Sequence, residues 1–148
     1  MKVFISGSMS IKELPEIAIR EIDRLLADEP EIIIGDAPGV DRAVQEYLAK
    51  KDYKKVTVYY TFDKPRYNIG KWNTYYVDPV DRRNPRTCYF CRDSVMANVA
   101  DIGLAIWDNK SQGTKRNIVN MLLQSKEVRL VVNNGSGFIL AELSSKEY

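Results

Sequence analysis

No histidine occurs in these 148 residues, which removes the commonest general base, the commonest zinc ligand and every Ser-His or Cys-His nucleophile pair. Cysteine is scarce as well: Cys88 and Cys91 are the only two. Their C-x-x-C spacing fits half a zinc site, a redox pair or two reduced thiols. Completing a tetrahedral site would take carboxylates alone, and the pair sits late in the chain around Tyr89-Phe90, so it is read as reduced thiols partly packed in a core. No metal and no cofactor are expected. Long apolar runs are missing too, so no membrane span is expected, and Met1-Lys2-Val3-Phe4-Ile5 begins a strand where a signal peptide needs a longer apolar stretch. A cytoplasmic protein is the expectation. Excess charge of one sign is also lacking: 22 Lys+Arg against 20 Asp+Glu leave a net +2, too little to announce a nucleic-acid binder by total charge.

What is present is the alternation of an α/β protein. A hydrophobic content of 45% suits one continuous core, and residues 1–148 are read as a single domain. Strands are expected at Lys2–Ser6, Glu31–Gly35, Val56–Tyr60, Asp101–Trp107 and Glu127–Val132, with Phe138–Leu143 as a further short strand or a docking tail. Helices are expected over about 15–27, from Asp41 to about Lys51, over Cys91–Val99 and over about Thr114–Gln124. Ser10-x-x-Glu13 has the look of a capping box, but Pro15 moves the helix start one turn on. Strands separated by helices, without tight hairpin signals, predict a mainly parallel five-stranded sheet in the order 3-2-1-4-5 between two helical layers.

Three of these strands end in turns of one chemical kind: Ser6-Gly7-Ser8, Gly35-Asp36-Ala37-Pro38-Gly39 and Ser111-Gln112-Gly113-Thr114. In an open parallel sheet such ends share one edge, where the crevice at the strand-order reversal gathers them. Backbone N–H groups and hydroxyls at helix N-termini suit an anion, and a carboxylate such as Asp36 suits ribose hydroxyls. Asp41 is read as a helix cap or first-turn charge. A long segment, about 61–90, joins the third strand to the next helix. Between Lys64 and Arg92 it carries Lys64, Arg66, Lys71, Arg82, Arg83, Arg86 and Arg92 against Asp78 and Asp81, interleaved with tyrosine, tryptophan and phenylalanine. Cations plus planar rings can hold a phosphate and stack a base; equally, they can be a solvated loop with aromatic anchors.

The strand ending in Gly7-Ser8, the turn Gly35-Asp36-Ala37-Pro38-Gly39-Val40-Asp41, the stretch Arg92-Asp93-Ser94-Val95-Met96 and the later Gly113-Thr114 resemble the SLOG superfamily of Rossmann-like domains. The likeness covers about residues 2–132, is nearest to the small stand-alone YspA-like members and extends more distantly to nucleoside 2-deoxyribosyltransferases. It implies a nucleotide-like ligand held by Ser6, Gly7, Ser8, Gly35, Asp36, Gly39, Asp93, Ser111, Gly113, Thr114 and Asn117. The related LOG phosphoribohydrolases and deoxyribosyltransferases end this motif G-T-x-x-E, and that glutamate serves N-glycosidic cleavage. Here the position is Asn117, which can be neither nucleophile nor partner to an oxocarbenium-like transition state.

The resulting expectation is a sensor or carrier for a nucleotide, nucleoside or nucleotide-derived small molecule. The alternatives are an N-glycosidase or ribosyltransferase using a relocated carboxylate (Asp36, Asp93 or Asp108), and a single-stranded nucleic-acid binder working through residues 64–92. A nucleotide-like small molecule is the expected partner, a homo-oligomer is compatible with the sequence, and nucleic acid is less favoured.

Overall fold

The structure, a computed structural model, describes residues 1–145. The elements in chain order are β1 (Lys2–Gly7), α1 (Glu16–Leu26), β2 (Glu31–Ile34), α2 (Val40–Lys50), β3 (Val56–Tyr60), β4 (Asn73–Tyr76), α3 (Pro85–Val99), β5 (Ile102–Trp107), α4 (Gln112–Leu123), β6 (Val128–Asn133) and β7 (Phe138–Leu143). They form an α/β fold around one mixed, mostly parallel sheet in the order β4-β3-β2-β1-β5-β6-β7. Among the described residues, only β7 runs antiparallel, against β6. The five expected strands lie in the middle of this sheet in the expected relative order, but the sheet has seven strands and not five.

The two additional strands have different causes. Asn133-Asn134-Gly135-Ser136-Gly137 folds into a turn, with Asn134 N–H donating to Gly137 O at 2.9 Å and positive φ at both glycines, so the chain reverses and lays β7 on β6. β4 falls inside the segment read as loop. Its four residues are all exposed, and its place is set by parallel pairing with β3 and by Tyr75 stacking on Tyr59 with ring centroids 4.8 Å apart. The connection before it is held by the buried Gln45 amide, which donates to Gly35 O and Tyr67 O and accepts from Ile69 N–H.

α3 likewise starts earlier than expected, at Pro85 and not Cys91. Asn84 is its N-cap and accepts Thr87 N–H at 3.3 Å, with proline at the first helical position, the arrangement a missing N–H tolerates best. The basic aromatic segment at 61–90 is therefore a strand and the first turn and a half of a helix, joined by shorter connections. Cys88 is a buried free thiol whose Sγ donates to Asp81 O, and Cys91 is a partly exposed one.

Alternation along the strands sends side chains to two cores. Val3, Ile5, Ile32 and Ile34 pack with Ile22, Val44 and Leu48 of α1 and α2. Phe4 and Ile33 pack with Met96, Ile118 and Met121 of α3 and α4. The continuous isoleucine of β2 follows from burial on both faces. On the core-facing side of α1, Glu21 is 4% exposed and accepts Arg129 Nε at 2.8 Å and Arg24 Nη2 at 2.6 Å. Burial works against its charge, but the two arginines outweigh it and hold its pKa below the ordinary value. Arg129 also pairs with Glu142, tying β7 to the sheet. Among the described residues, no helix is long and apolar enough to cross a membrane.

Candidate functional site

β1 lies between β2 and β5, so the strand order reverses there and the C-terminal ends of these parallel strands flank a crevice. A cavity of about 360 Å³ occupies it, at the small end of the range for ligand pockets. Phe4, Ser6 and Gly7 come from β1, Gly35 and Ala37 from the β2–α2 turn, and Asp41 from the first turn of α2. α3 contributes Tyr89, Phe90, Arg92, Asp93 and Met96, while Ser111, Gln112, Gly113, Thr114 and Asn117 come from α4 and its N-cap. Met9, Arg66 and Arg86 complete the rim.

Of the residues expected at the site, Ser6, Gly7, Gly35, Asp93, Ser111, Gly113, Thr114 and Asn117 meet at this cavity. Ser8, Asp36 and Gly39 are not in its lining. The Ser8 side chain lies behind the wall, with Oγ 2.8 Å from Ser111 Oγ and 3.4 Å from Thr114 Oγ1 while accepting Asp108 N–H. Its carbonyl accepts Val40 N–H at the start of α2. Ser8 thus binds three elements together and satisfies a donor at that helix end. Gly39 takes φ +84°, and a Cβ there would come 2.5 Å from the Met9 backbone. Only glycine fits this close crossing.

Asp36 is 1% exposed. Its Oδ1 accepts Arg92 Nη1 at 2.5 Å and Arg66 Nη2 at 3.0 Å, and its Oδ2 accepts Arg66 N–H at 2.8 Å. Three of its roughly four acceptor sites are thus taken by protein donors and it lies outside the cavity lining, so ribose recognition by Asp36 would require disturbing a buried ion pair. Arg92 turns its other edge to Asp93, with Nη2 and Nε at 2.8 and 3.1 Å from Oδ1. Asn117 Nδ2 donates to Asp93 Oδ2 at 3.0 Å. A chain Arg66–Asp36–Arg92–Asp93–Asn117 thus runs along one side of the cavity, with the Asn117 amide fixing the Asp93 carboxylate. Burial disfavours the Arg92 charge, but Asp93, Asp41 and Asp36 overcome this and raise its pKa.

Sequence reasoning undervalued Asp41. Gly39, not Asp41, is the N-cap of α2. Asp41 stands in the first turn, buried at 6% exposure, with Oδ2 accepting Ala37 N–H at 3.1 Å. It makes no ion pair closer than 4 Å among the described residues, although three carboxylates surround Arg92. Burial pushes its carboxyl up to about 7; Arg92 opposes this, and Asp93 and Asp36 add to it. Gly35 allows the crowding, because a Cβ there would come 2.7 Å from both Asp41 Oδ2 and Arg92 Nη2. Asp108, by contrast, lies outside the lining. Burial pushes its pKa upward, but bonds from Ser10 Oγ, Ser111 N–H and Lys110 N–H overcome that and hold it at about 2, so it stays an ionised turn-forming group.

The α4 end of the cavity has opposite polarity. Ser111 is the N-cap without a side-chain cap bond, and the first turn holds no acidic residue. Lys115 N–H reaches Ser111 O, leaving the amides of Gln112, Gly113 and Thr114 as the donors that a helix cannot satisfy internally. Phe90 and Tyr89 supply the aromatic wall. The Tyr89 ring has Arg66 and Arg92 guanidiniums at 4.2 and 5.3 Å from its centroid.

No protein-family model, curated protein or solved structure matches this chain. Fold and cavity together define an α/β protein with a crevice, mainly apolar in its lining but bearing several polar groups, at the C-terminal edge of its sheet.

Proposed function

We propose that this protein binds a nucleotide, nucleoside or nucleotide-derived small molecule in the cavity between β1, β2, α3 and α4, as a sensor or carrier, and that its fold is a Rossmann-like relative of the SLOG domains. The observation that carries the reading is one cavity joining three kinds of recognition. Unsatisfied helix N–H groups at residues 112–114 suit a phosphate, Asp93 and Asn117 offer hydrogen bonds for sugar hydroxyls, and Phe90 offers a ring face for a base. The test is a thermal-shift series of nucleosides, nucleotides and cyclic nucleotides. A ligand at a hundred times its Kd adds about 2.7 kcal/mol of stability, and absence of any shift at millimolar concentration would reject the proposal.

A second reading, N-glycosidic cleavage, is favoured by one observation: the carboxyls of Asp41 and Asp93 line the same cavity, and burial pushes that of Asp41 up to about 7. A carboxyl that keeps its proton near neutrality is the kind of group that serves as a general acid. Base release abolished by Asp41→Asn or Asp93→Asn would support it, and no turnover across a broad nucleoside and nucleotide panel would reject it. Single-stranded nucleic-acid binding has less support. Of the rings it would stack on, Tyr75 is already stacked on Tyr59 and Tyr89 lies beside two arginines.

A further inference from the structure

The mouth of the cavity carries charge that a single phosphate on α4 does not use. Arg86 and Phe90 stand four residues apart on α3, and Gly113 and Arg116 three apart on α4, so each pair shares a helix face. The two faces meet at the Phe90 ring. Its centroid lies 3.5 Å from the Arg116 guanidinium and 6.0 Å from that of Arg86. Both arginines are exposed, and among the described residues neither has a carboxylate within salt-bridge distance, whereas Arg66 and Arg92 are both paired. Two guanidiniums converging on one ring repel each other unless an anion lies between or beside them. The space leading to them is open: a Cβ on Gly113 would have Phe90 Cε1, at 3.9 Å, as its only near neighbour.

The β2–α2 side of the cavity offers a phosphate no free cation, because the Arg92 charge there is already taken by Asp36 and Asp93. A nucleotide is therefore oriented with its phosphates toward α4 and the mouth.

Resting on the nucleotide reading above, we infer that the ligand carries a pyrophosphate: one phosphate seats on the first turn of α4, and Arg86 on the cavity rim, together with Arg116 just beyond it against the Phe90 ring, holds the second. Guanidiniums suit this task because their forked donors match phosphate oxygens in pairs. The shared chemistry is a nucleoside diphosphate unit, whether its outer phosphate is free or esterified to a further sugar.

The test is calorimetric titration of the full chain with the adenosine, guanosine, cytidine and uridine series, each as nucleoside, monophosphate and diphosphate, together with the corresponding diphosphate sugars. In whichever series binds, a diphosphate-bearing ligand, free or sugar-linked, is expected to bind about tenfold or more tighter than the monophosphate. The double variant Arg86→Gln/Arg116→Gln keeps the side-chain stems, and both positions are exposed, so its unliganded melting temperature should match the wild type. In that variant the ratio of diphosphate to monophosphate affinity should fall toward one. Equal affinities in the wild type, or a ratio that survives in the variant, would overturn the inference while leaving the nucleotide reading in place. Failure of every series to bind would overturn both.

Discussion

Replacing Asp36 by asparagine separates a structural carboxylate from a ligand-binding one. Asp36 and the Arg92 side chain are 1% and 4% exposed and meet at 2.5 Å. Removing the charge of one partner in a buried pair costs about 3–5 kcal/mol, because the other charge stays buried. Arg92 keeps Asp93, and the asparagine oxygen still accepts one bond, so the loss belongs at the low end, about 3 kcal/mol. For a chain of this size each kcal/mol moves Tm by about 2–4 °C, so Asp36→Asn should melt roughly 6–12 °C below the wild type. Arg66 offers the control. Its side chain is 34% exposed, and solvent screening limits its pair with Asp36 to about 1 kcal/mol or less, so Arg66→Ala should cost only a few degrees. The assay is differential scanning calorimetry on both variants and their combination, whose coupling should be visible because they share one carboxylate. An Asp36→Asn protein that melts with the wild type yet loses its nucleotide-induced shift would refute this and return Asp36 to the ligand.

Asp41 has a pH signature. The folded chain holds its proton up to about pH 7, whereas the unfolded chain releases it near 3.8, so stability falls as pH rises between these values and the penalty is complete above 7. Asp41→Asn should therefore gain on the wild type across that window, on the order of a few kcal/mol by pH 8; a difference in urea midpoint that stays constant from pH 4 to 8 would count against it. Asn117→Asp replaces a donor with a second carboxylate about 3 Å from Asp93, and should cost about 1–3 kcal/mol at neutral pH, recovered on acidification, as read from denaturation midpoints at pH 7 and 4. Gly39→Ala and Gly113→Ala make a contrasting pair. The first forces a methyl onto the Met9 backbone at positive φ and should lower Tm sharply; the second should leave the unliganded Tm unchanged or slightly raised but abolish the nucleotide-induced shift, and normal binding by it would remove the anion from α4.

The central strands were legible because burial on both faces demands continuous β-branched residues, as in Ile32-Ile33-Ile34, and burial of that kind leaves its mark locally. β4 was not: Asn73-Thr74-Tyr75-Tyr76 is short, exposed and without alternation, and only its pairing with β3 makes it a strand. The early start of α3 was written in Asn84-Pro85, a cap followed by a first-turn proline, but the aromatic and basic residues around it read more strongly as loop. The site was legible as a set of strand-end turns and not as a set of roles. Which of two carboxylates in one turn faces the cavity depends on Arg66 and Arg92, brought to Asp36 from 30 and 56 residues away, and on the φ +84° of Gly39. Neither quantity has a local pattern.

The contact among Ser8, Ser111 and Thr114 has one more consequence. Ser111 Oγ lies 2.8 Å from Ser8 Oγ and 2.9 Å from Thr114 Oγ1, and each hydroxyl can turn its proton in either direction. Three rotors in mutual contact behave as a small adjustable dipole at the foot of a fixed helix terminus. An incoming oxyanion can draw a hydroxyl proton toward itself, and an incoming N–H can send it back, with no heavy atom leaving its place. On the proposed reading, the rigid amides of α4 would set where a ligand's charge goes, while the hydroxyls beside them adapt to whatever atom adjoins it.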